Sequence, residues 1–285
     1  MSWLHRHRWV TPYLLLAPGL IWLGTFFIAP LGVLAYQSLQ TGTFDFGFTF
    51  SWEFYNYWDA ITRYDQHLVR SFVYAGLATL LALVISYPLA YWIAFRGGRW
   101  KSFFLLAIIA PFFVTYLIRT LAWQNILADE GMVVGVLRDL HILAPDGRLL
   151  ATSTAVVAGI TYNFLPFMAL PLYVALEQID PRLIEAAQDL YASRLKAFLR
   201  VTLPLSLPGV FAGTLLTFIP AAGDFINAQL LGTPNQHMIG NVIQSKYLEL
   251  IDYPAAATLS FVLMALILLG VILYSRALGT ERLTG

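Results

Sequence analysis

The residues of this chain best equipped for chemistry are its few carboxylates. Asp65, in Tyr64-Asp65, and Asp224, in Ala221-Ala222-Gly223-Asp224, come nearest to a pair that could hydrolyse a peptide inside a membrane. That chemistry needs two carboxyls close enough to share a proton. Asp65 falls outside every apolar span, so an intramembrane protease is not expected. His5, His7, His67, His141 and His237 are scattered outside the spans without His-Glu-x-x-His spacing, and a metal site is not expected either. The chain has no Cys, hence no thiolate nucleophile, disulfide framework or Cys-based metal site. The stretch RGGRWKS at 96–102 lacks a Gly immediately before Lys101 and follows an apolar span rather than a strand, so it is not a phosphate-binding loop. An enzyme is not expected, and neither is a cofactor.

The elements that carry these residues are membrane spans. Hydrophobic residues make up 59% of the 285, charged residues 12% and aromatics 15%, against about 45–50% apolar and about 25% charged in soluble domains. A net charge of +1 gives no basic excess for nucleic acid. Six stretches reach the roughly 20 residues that a helix needs to cross hydrocarbon: 12–38, 68–95, 102–124, 152–176, 205–226 and 254–276. The first follows Arg6 and Arg8 but continues past Tyr36 without a cleavage pattern, so it reads as a retained span rather than a signal peptide. The third contains Arg119. We read residues 1–285 as one transmembrane domain.

The Lys and Arg bias sets the expected orientation. One side collects Arg6, Arg8, Arg96, Arg99, Lys101, Arg182, Arg194, Lys196, Arg200, Arg276 and Arg282, which places both termini in the cytoplasm. The other side collects acids, among them Asp45, Glu53, Asp129, Glu130 and Asp252. The expected location is the cell (inner) membrane, as a multi-pass protein. Within the long outer connections, Val133, Val136, Leu137 and Leu140 recur at helical spacing, as do Ile239, Val242, Ile243 and Tyr247, predicting short interfacial helices.

One polar block interrupts this pattern, IDPRLIEAAQDLYASRLKAFLRVTLPLSLPGV at 179–210. Asp180 before Pro181 is a helix start, because the carboxylate caps free N–H groups and Pro at the first helical position loses nothing. Leu183, Ala186, Ala187 and Leu190 then share a face, and Arg182, Glu185, Gln188 and Asp189 supply the charged remainder. A second run places Leu195, Phe198, Leu199 and Thr202 on one side and is expected to stop at Leu203-Pro204. The result is an amphipathic pair on the cytoplasmic side, about 180–203. Two Ala residues at the centre of the stripe permit close backbone approach, which suggests a protein partner rather than lipid headgroups; an ordinary surface loop is the alternative.

Glu185-Ala186-Ala187, then Tyr191, then Val201-Thr202-Leu203-Pro204, resembles the EAA motif of importer-type ABC transporter permeases. In that family the motif forms a coupling helix seated in a groove of the cytoplasmic ATPase. Glu185, Ala186, Ala187, Val201, Leu203 and Pro204 match it. Tyr191 stands where the family has Gly, and a left-handed backbone there costs a Tyr roughly 1 kcal/mol or more. Either the turn shifts to Ala192-Ser193, or Tyr191 itself contacts the ATPase. Glu185 holds the element through Arg182 or through the ATPase.

Four further stretches, PFFVTYLIRTLAW at 111–123, YNFLPFMALPLY at 162–173, FIPAAGDFINAQLLG at 218–232 and IGNVIQSKYL at 239–248, are similar to the first permease of spermidine/putrescine importers. The resemblance implies an all-α integral membrane fold, the six-span type I importer (MetI-like) permease with a cytoplasmic coupling helix. It also implies a second homologous permease, two copies of a cassette ATPase that holds ATP and Mg, and an external binding protein. Transport by alternating access of a polyamine, or of another small solute of the same importer class, follows from it. A polycation path should offer carboxylates, carbonyls and aromatic faces. Asp224 and Asn227 meet that description, with Tyr162 and Asn163 inside span four as path-lining groups or interhelical hydrogen-bond partners. Asp224 also fits an interfacial acid, or an ion pair with Arg119. Glu177 reads as a solvated helix end. A free-standing channel or secondary transporter, the rival from another class, leaves the polar helix pair without a role.

Overall fold

A computed structural model describes residues 10–144 and 146–278. Arg6, Arg8 and Arg282, which enter the orientation count, lie outside them. Among the described residues five helices are long and apolar enough to cross a membrane, Leu15–Ser38, Asp65–Arg96, Ser153–Glu177, Arg194–Ala222 and Tyr253–Arg276, or six if one bent pair counts as a span. The chain forms two compact units.

The first unit comprises residues up to Arg63 together with Ile243–Val262. Its first span is α1 (Val10–Leu23), a π-helical stretch at Gly24–Ile28 and α2 (Ala29–Ser38). A hairpin follows, β1 (Gln40–Thr43) paired antiparallel with β2 (Gly47–Phe50), Gln40 opposite Phe50. Gly42, at φ +121, lets the two strands meet, since a Cβ there would stand 2.1 Å from the Gly47 carbonyl oxygen. Then comes α3 (Tyr55–Arg63). The end of α2 is well tied: Asn56 Nδ2 donates to the carbonyls of Ser38 and Gln40, and Thr258 Oγ1 donates to Ser38, each at 3.1 Å.

The second unit, Tyr64–Val242 with the helix from Leu263 on, holds the groups of interest. It begins with α4 (Asp65–Arg96), 32 residues long. The expected third span is not one continuous helix: α5 (Lys101–Ile109) tightens into a 3-10 turn at Ala110–Phe113 and is bent by 94° from the helical stretch that follows. Pro111 lacks an N–H and narrows the backbone, and Val114 and Thr115 are extended, so α6 (Tyr116–Leu127) starts afresh. The predicted short helix is α7 (Met132–Asp139).

Next is α8 (Ser153–Glu177), whose N-cap Thr152 accepts from the Ala155 N–H at 3.2 Å. The predicted polar pair is α9 (Pro181–Asp189) and α10 (Arg194–Ala197). The second member does not stop at Leu203-Pro204. A π turn at Phe198–Thr202 leads into α11 (Leu203–Ala222), and Arg194–Ala222 is one helical segment. The wider turn lets the Leu203 N–H reach the Phe198 carbonyl and spaces the backbone ahead of Pro204, whose ring otherwise clashes one turn back. The short helices α12 (Ile226–Leu231) and α13 (Ile239–Gln244) precede α14 (Tyr253–Leu278).

Helices α4, α8 and α11 pack on one another through small residues, the usual means of close approach where lipid gives no hydrophobic drive between helices. Ala75, Ala78, Ala82 and Ala90 are buried along α4. A Cβ on Gly209 of α11 would stand 2.5 Å from Ala175 Cβ and 2.7 Å from the Pro171 carbonyl oxygen of α8. Tyr87 and Ser206 share a 2.7 Å hydrogen bond between α4 and α11.

Candidate functional sites: an exposed helix pair and a buried polar cluster

The helix pair is built as its sequence dictates at the entry and against it at the turn. Asp180 accepts from the Arg182 N–H at 3.0 Å with Pro181 in the first turn. At the other end the Tyr191 N–H donates to Gln188 at 2.9 Å and the Ala192 N–H to Ala187 at 3.1 Å. These two bonds, 5→2 and 6→1, make a Schellman closure, which needs a left-handed residue between them. Tyr191 takes that role itself at φ +61; the turn does not shift to Ala192-Ser193. Ser193 instead caps α10, accepting from the Lys196 N–H at 3.4 Å.

No residue of α9 is buried. Leu183 and Leu190, on the face shared with Ala186 and Ala187, are exposed, and Tyr191 is 99% exposed. Glu185 makes no ion pair with Arg182. Ion pairs among the described residues include Lys101–Glu177, Arg148–Asp129 and Lys246–Asp252. Glu177 is therefore not simply a solvated helix end, since its carboxylate meets Lys101 at 3.1 Å and fastens the start of α5 to the end of α8. Val201, Leu203 and Pro204 lie in the π turn and the first turn of α11, joining the pair to the span.

The second site is polar and buried. Asp224 follows the end of α11 and is 7% exposed. Its Oδ1 accepts from the Asn227 N–H at 2.9 Å, and its Oδ2 accepts from Asn227 Nδ2 at 3.1 Å and from the Tyr116 hydroxyl. Asn227 Nδ2 also donates to the Tyr116 oxygen at 2.6 Å. Asn163 of α8 donates at 3.2 Å both to Asn227 Oδ1 and to Thr120 Oγ1, and Thr120 donates to the Tyr116 carbonyl at 3.1 Å. Three helices, α6, α8 and α12, are thus joined through one network that ends on a carboxylate.

The structure brings Asp224, Asn227 and Asn163 together and leaves Tyr162 out. Tyr162 is one residue from Asn163 on the helix and packs edge-on against Trp123, ring centroids 5.4 Å apart. Tyr116 and Thr120 are additions. Both lie in the PFFVTYLIRTLAW stretch, but only after the sharp bend at Val114-Thr115 does Tyr116 meet Asp224 and Thr120 meet Asn163. The expected Arg119–Asp224 ion pair does not form. Tyr116 and Asn227 occupy the carboxylate, and the Arg119 guanidinium lies 4.7 Å from the Phe112 ring centroid and 5.6 Å from that of Tyr116.

An apolar groove of about 480 Å³ runs between α8 and α11, lined by Phe167, Leu170, Pro171, Gly209 and Leu216 among others. Phe167 also packs edge-on against Phe112 at 5.2 Å.

The comparisons agree with this architecture. The spermidine/putrescine transport system permease protein PotB of Haemophilus influenzae is 39% identical over 75% of each chain. The inner membrane ABC transporter permease protein YdcU of Escherichia coli is 31% identical over 90% of this chain and 86% of its own. Among solved structures, that of a bacterial alginate ABC transporter in complex with an alginate pentasaccharide-bound periplasmic protein superposes at a TM-score of 0.76 with 19% identity, covering 99% of this chain and 98% of that one. The family model of the binding-protein-dependent transport system inner membrane component matches residues 9–278. A fold of apolar helices, an exposed polar helix pair bearing Glu-Ala-Ala and a match over nearly the whole length lead to one conclusion: the chain belongs to the inner membrane permeases of binding-protein-dependent ABC importers.

Proposed function

We propose that this chain is one of two homologous permease subunits of an ATP-driven importer of polyamines. Of the two copies of a cassette ATPase, holding ATP and Mg, one docks at the exposed helix pair of this chain on the cytoplasmic face and the other on the second permease, and an external binding protein delivers the substrate. The observation that carries the docking role is α9 itself: a well-capped helix with no buried residue, whose Leu183, Ala186, Ala187 and Leu190 face is left uncovered among the described residues. Both termini lie in the cytoplasm, and Glu185 engages the ATPase, since it makes no ion pair among the described residues.

The polyamine assignment draws on the relatives named as spermidine/putrescine permeases and on the chemistry of the buried cluster. Asp224 offers a carboxylate held by neutral donors, with Asn227 and Asn163 as further acceptors and Tyr116 and Phe112 as ring faces, a set suited to an ammonium group. Tyr162 lines the path beside Trp123. Bias from ATP binding enters at α9; moving a two-state equilibrium from 1:99 to 99:1 takes about 5.5 kcal/mol of differential binding.

The test is co-purification of the chain with its native partners and ATP-dependent uptake of labelled putrescine and spermidine in proteoliposomes. Uptake that requires the ATPase and the binding protein is expected. A complex that forms but carries neither compound would remove the polyamine assignment while leaving the importer role intact.

A further inference from the structure

Arg119 is the buried charge that the network does not use. It is 8% exposed, and its Nε and Nη1 are buried without a hydrogen-bond partner. An ion held this way pays a desolvation cost of several kcal/mol, which among the described residues the Phe112 and Tyr116 rings answer in part. Arg119 also sits in the first turns of α6, where the N-cap Thr115 makes no side-chain cap bond. The positive end of a helix is an unfavourable neighbour for a cation. The guanidinium is therefore seated on two ring faces but poorly held there.

The same ring carries both opposite charges: Arg119 lies over the face of Tyr116 while the Tyr116 hydroxyl donates to Asp224. Asn163 Oδ1, in the same network, is a buried acceptor without a donor. An ammonium group has three N–H donors and no acceptor. It could meet the two ring faces, the Asp224 carboxylate and the open amide oxygen, replacing the contacts that Arg119 makes only in part.

We propose that the faces of Phe112 and Tyr116, with Asp224 and Asn163, form a binding seat for a primary ammonium group of the substrate, and that Arg119 fills this seat when no substrate is present. Arg119 is then an internal competitor that raises the concentration of cation needed to enter the site. This inference rests on the polyamine reading and assigns it a place and a gatekeeper.

The test is direct binding of labelled putrescine to the assembled permease–ATPase complex in nanodiscs, with no binding protein present. Arg119→Ala is expected to bind about tenfold more tightly, the order set by losing a desolvated cation–aromatic competitor. Arg119→Lys, which refills the seat, stays near wild type, and Phe112→Leu in the Arg119→Ala background weakens binding. If the Ala variant does not assemble, Arg119→Gln must show the same gain. Unchanged or weaker binding in the uncharged variants, with Asp224→Asn weakening it, overturns the gatekeeper and leaves the path. No effect of Asp224→Asn on binding overturns the path, and the seat with it.

Discussion

Asn163 on α8 and Asn227 on α12 are joined side chain to side chain, Nδ2–H to Oδ1 at 3.2 Å. The same amide holds Thr120 of α6 at 3.2 Å, so a single residue fastens three elements around the Asp224 carboxylate. Asn163→Leu removes the donor to both partners and leaves a buried carbonyl oxygen bare, at a cost of about 1–3 kcal/mol. The thermal midpoint of the reconstituted complex is expected to fall and polyamine uptake to fall with it. An unchanged midpoint would show that the network does not hold these helices.

Tyr191 occupies a left-handed conformation that Gly adopts without penalty. Tyr191→Gly is expected to stabilise the helix pair by about 1 kcal/mol, read as a rise in the midpoint of thermal unfolding. Substrate-stimulated ATP hydrolysis separates the two roles left for the ring. Retained coupling makes Tyr191 a tolerated backbone substitution, and lost coupling places its fully exposed ring against the ATPase.

Ala187→Trp puts an indole at the centre of the exposed stripe on α9. The permease should still insert, because no residue of α9 is buried, while co-purification of the ATPase drops and stimulated hydrolysis falls at least about tenfold. Unchanged stimulated hydrolysis in the reconstituted complex would remove this face from the docking surface.

The loop between α4 and α5, Arg96 to Lys101, carries three basic residues. A protease added to sealed inverted vesicles should cut there, and the same protease added to spheroplasts should not. Cleavage from the outside would reverse the orientation argued from the Lys and Arg bias.

Much of this architecture was legible in hydropathy and in single residues. Asp180-Pro181 starts its helix as the capping rule requires, and Val133, Val136 and Leu137 lie in a short helix whose C-cap is Leu140. What escaped the sequence is what depends on the path of the chain. Apolar composition runs through Pro111 and the 94° bend beyond it without a change of character, so the third span looked continuous and the meeting of Tyr116 with Asp224 could not be seen. Pro204 looked like a stop because local rules treat the preceding turn as α-helical, and a π turn changes the spacing. Arg119 and Asp224 looked like an ion pair because opposite charges in apolar segments are expected to meet. Neutral donors from Tyr116 and Asn227 reached the acid instead.

The π turn at Phe198–Thr202 has a mechanical consequence. By carrying the backbone past Pro204 it makes Arg194–Ala222 a single rod of 29 residues, about 43 Å long at helical rise. One end begins three residues after the left-handed turn at Tyr191, and the other ends two residues before Asp224. If the ATPase grips the helix pair as proposed, a push or twist at the first end travels along continuous helix to within two residues of the carboxylate, so the driven end and the substrate end of the permease would share one piece of backbone.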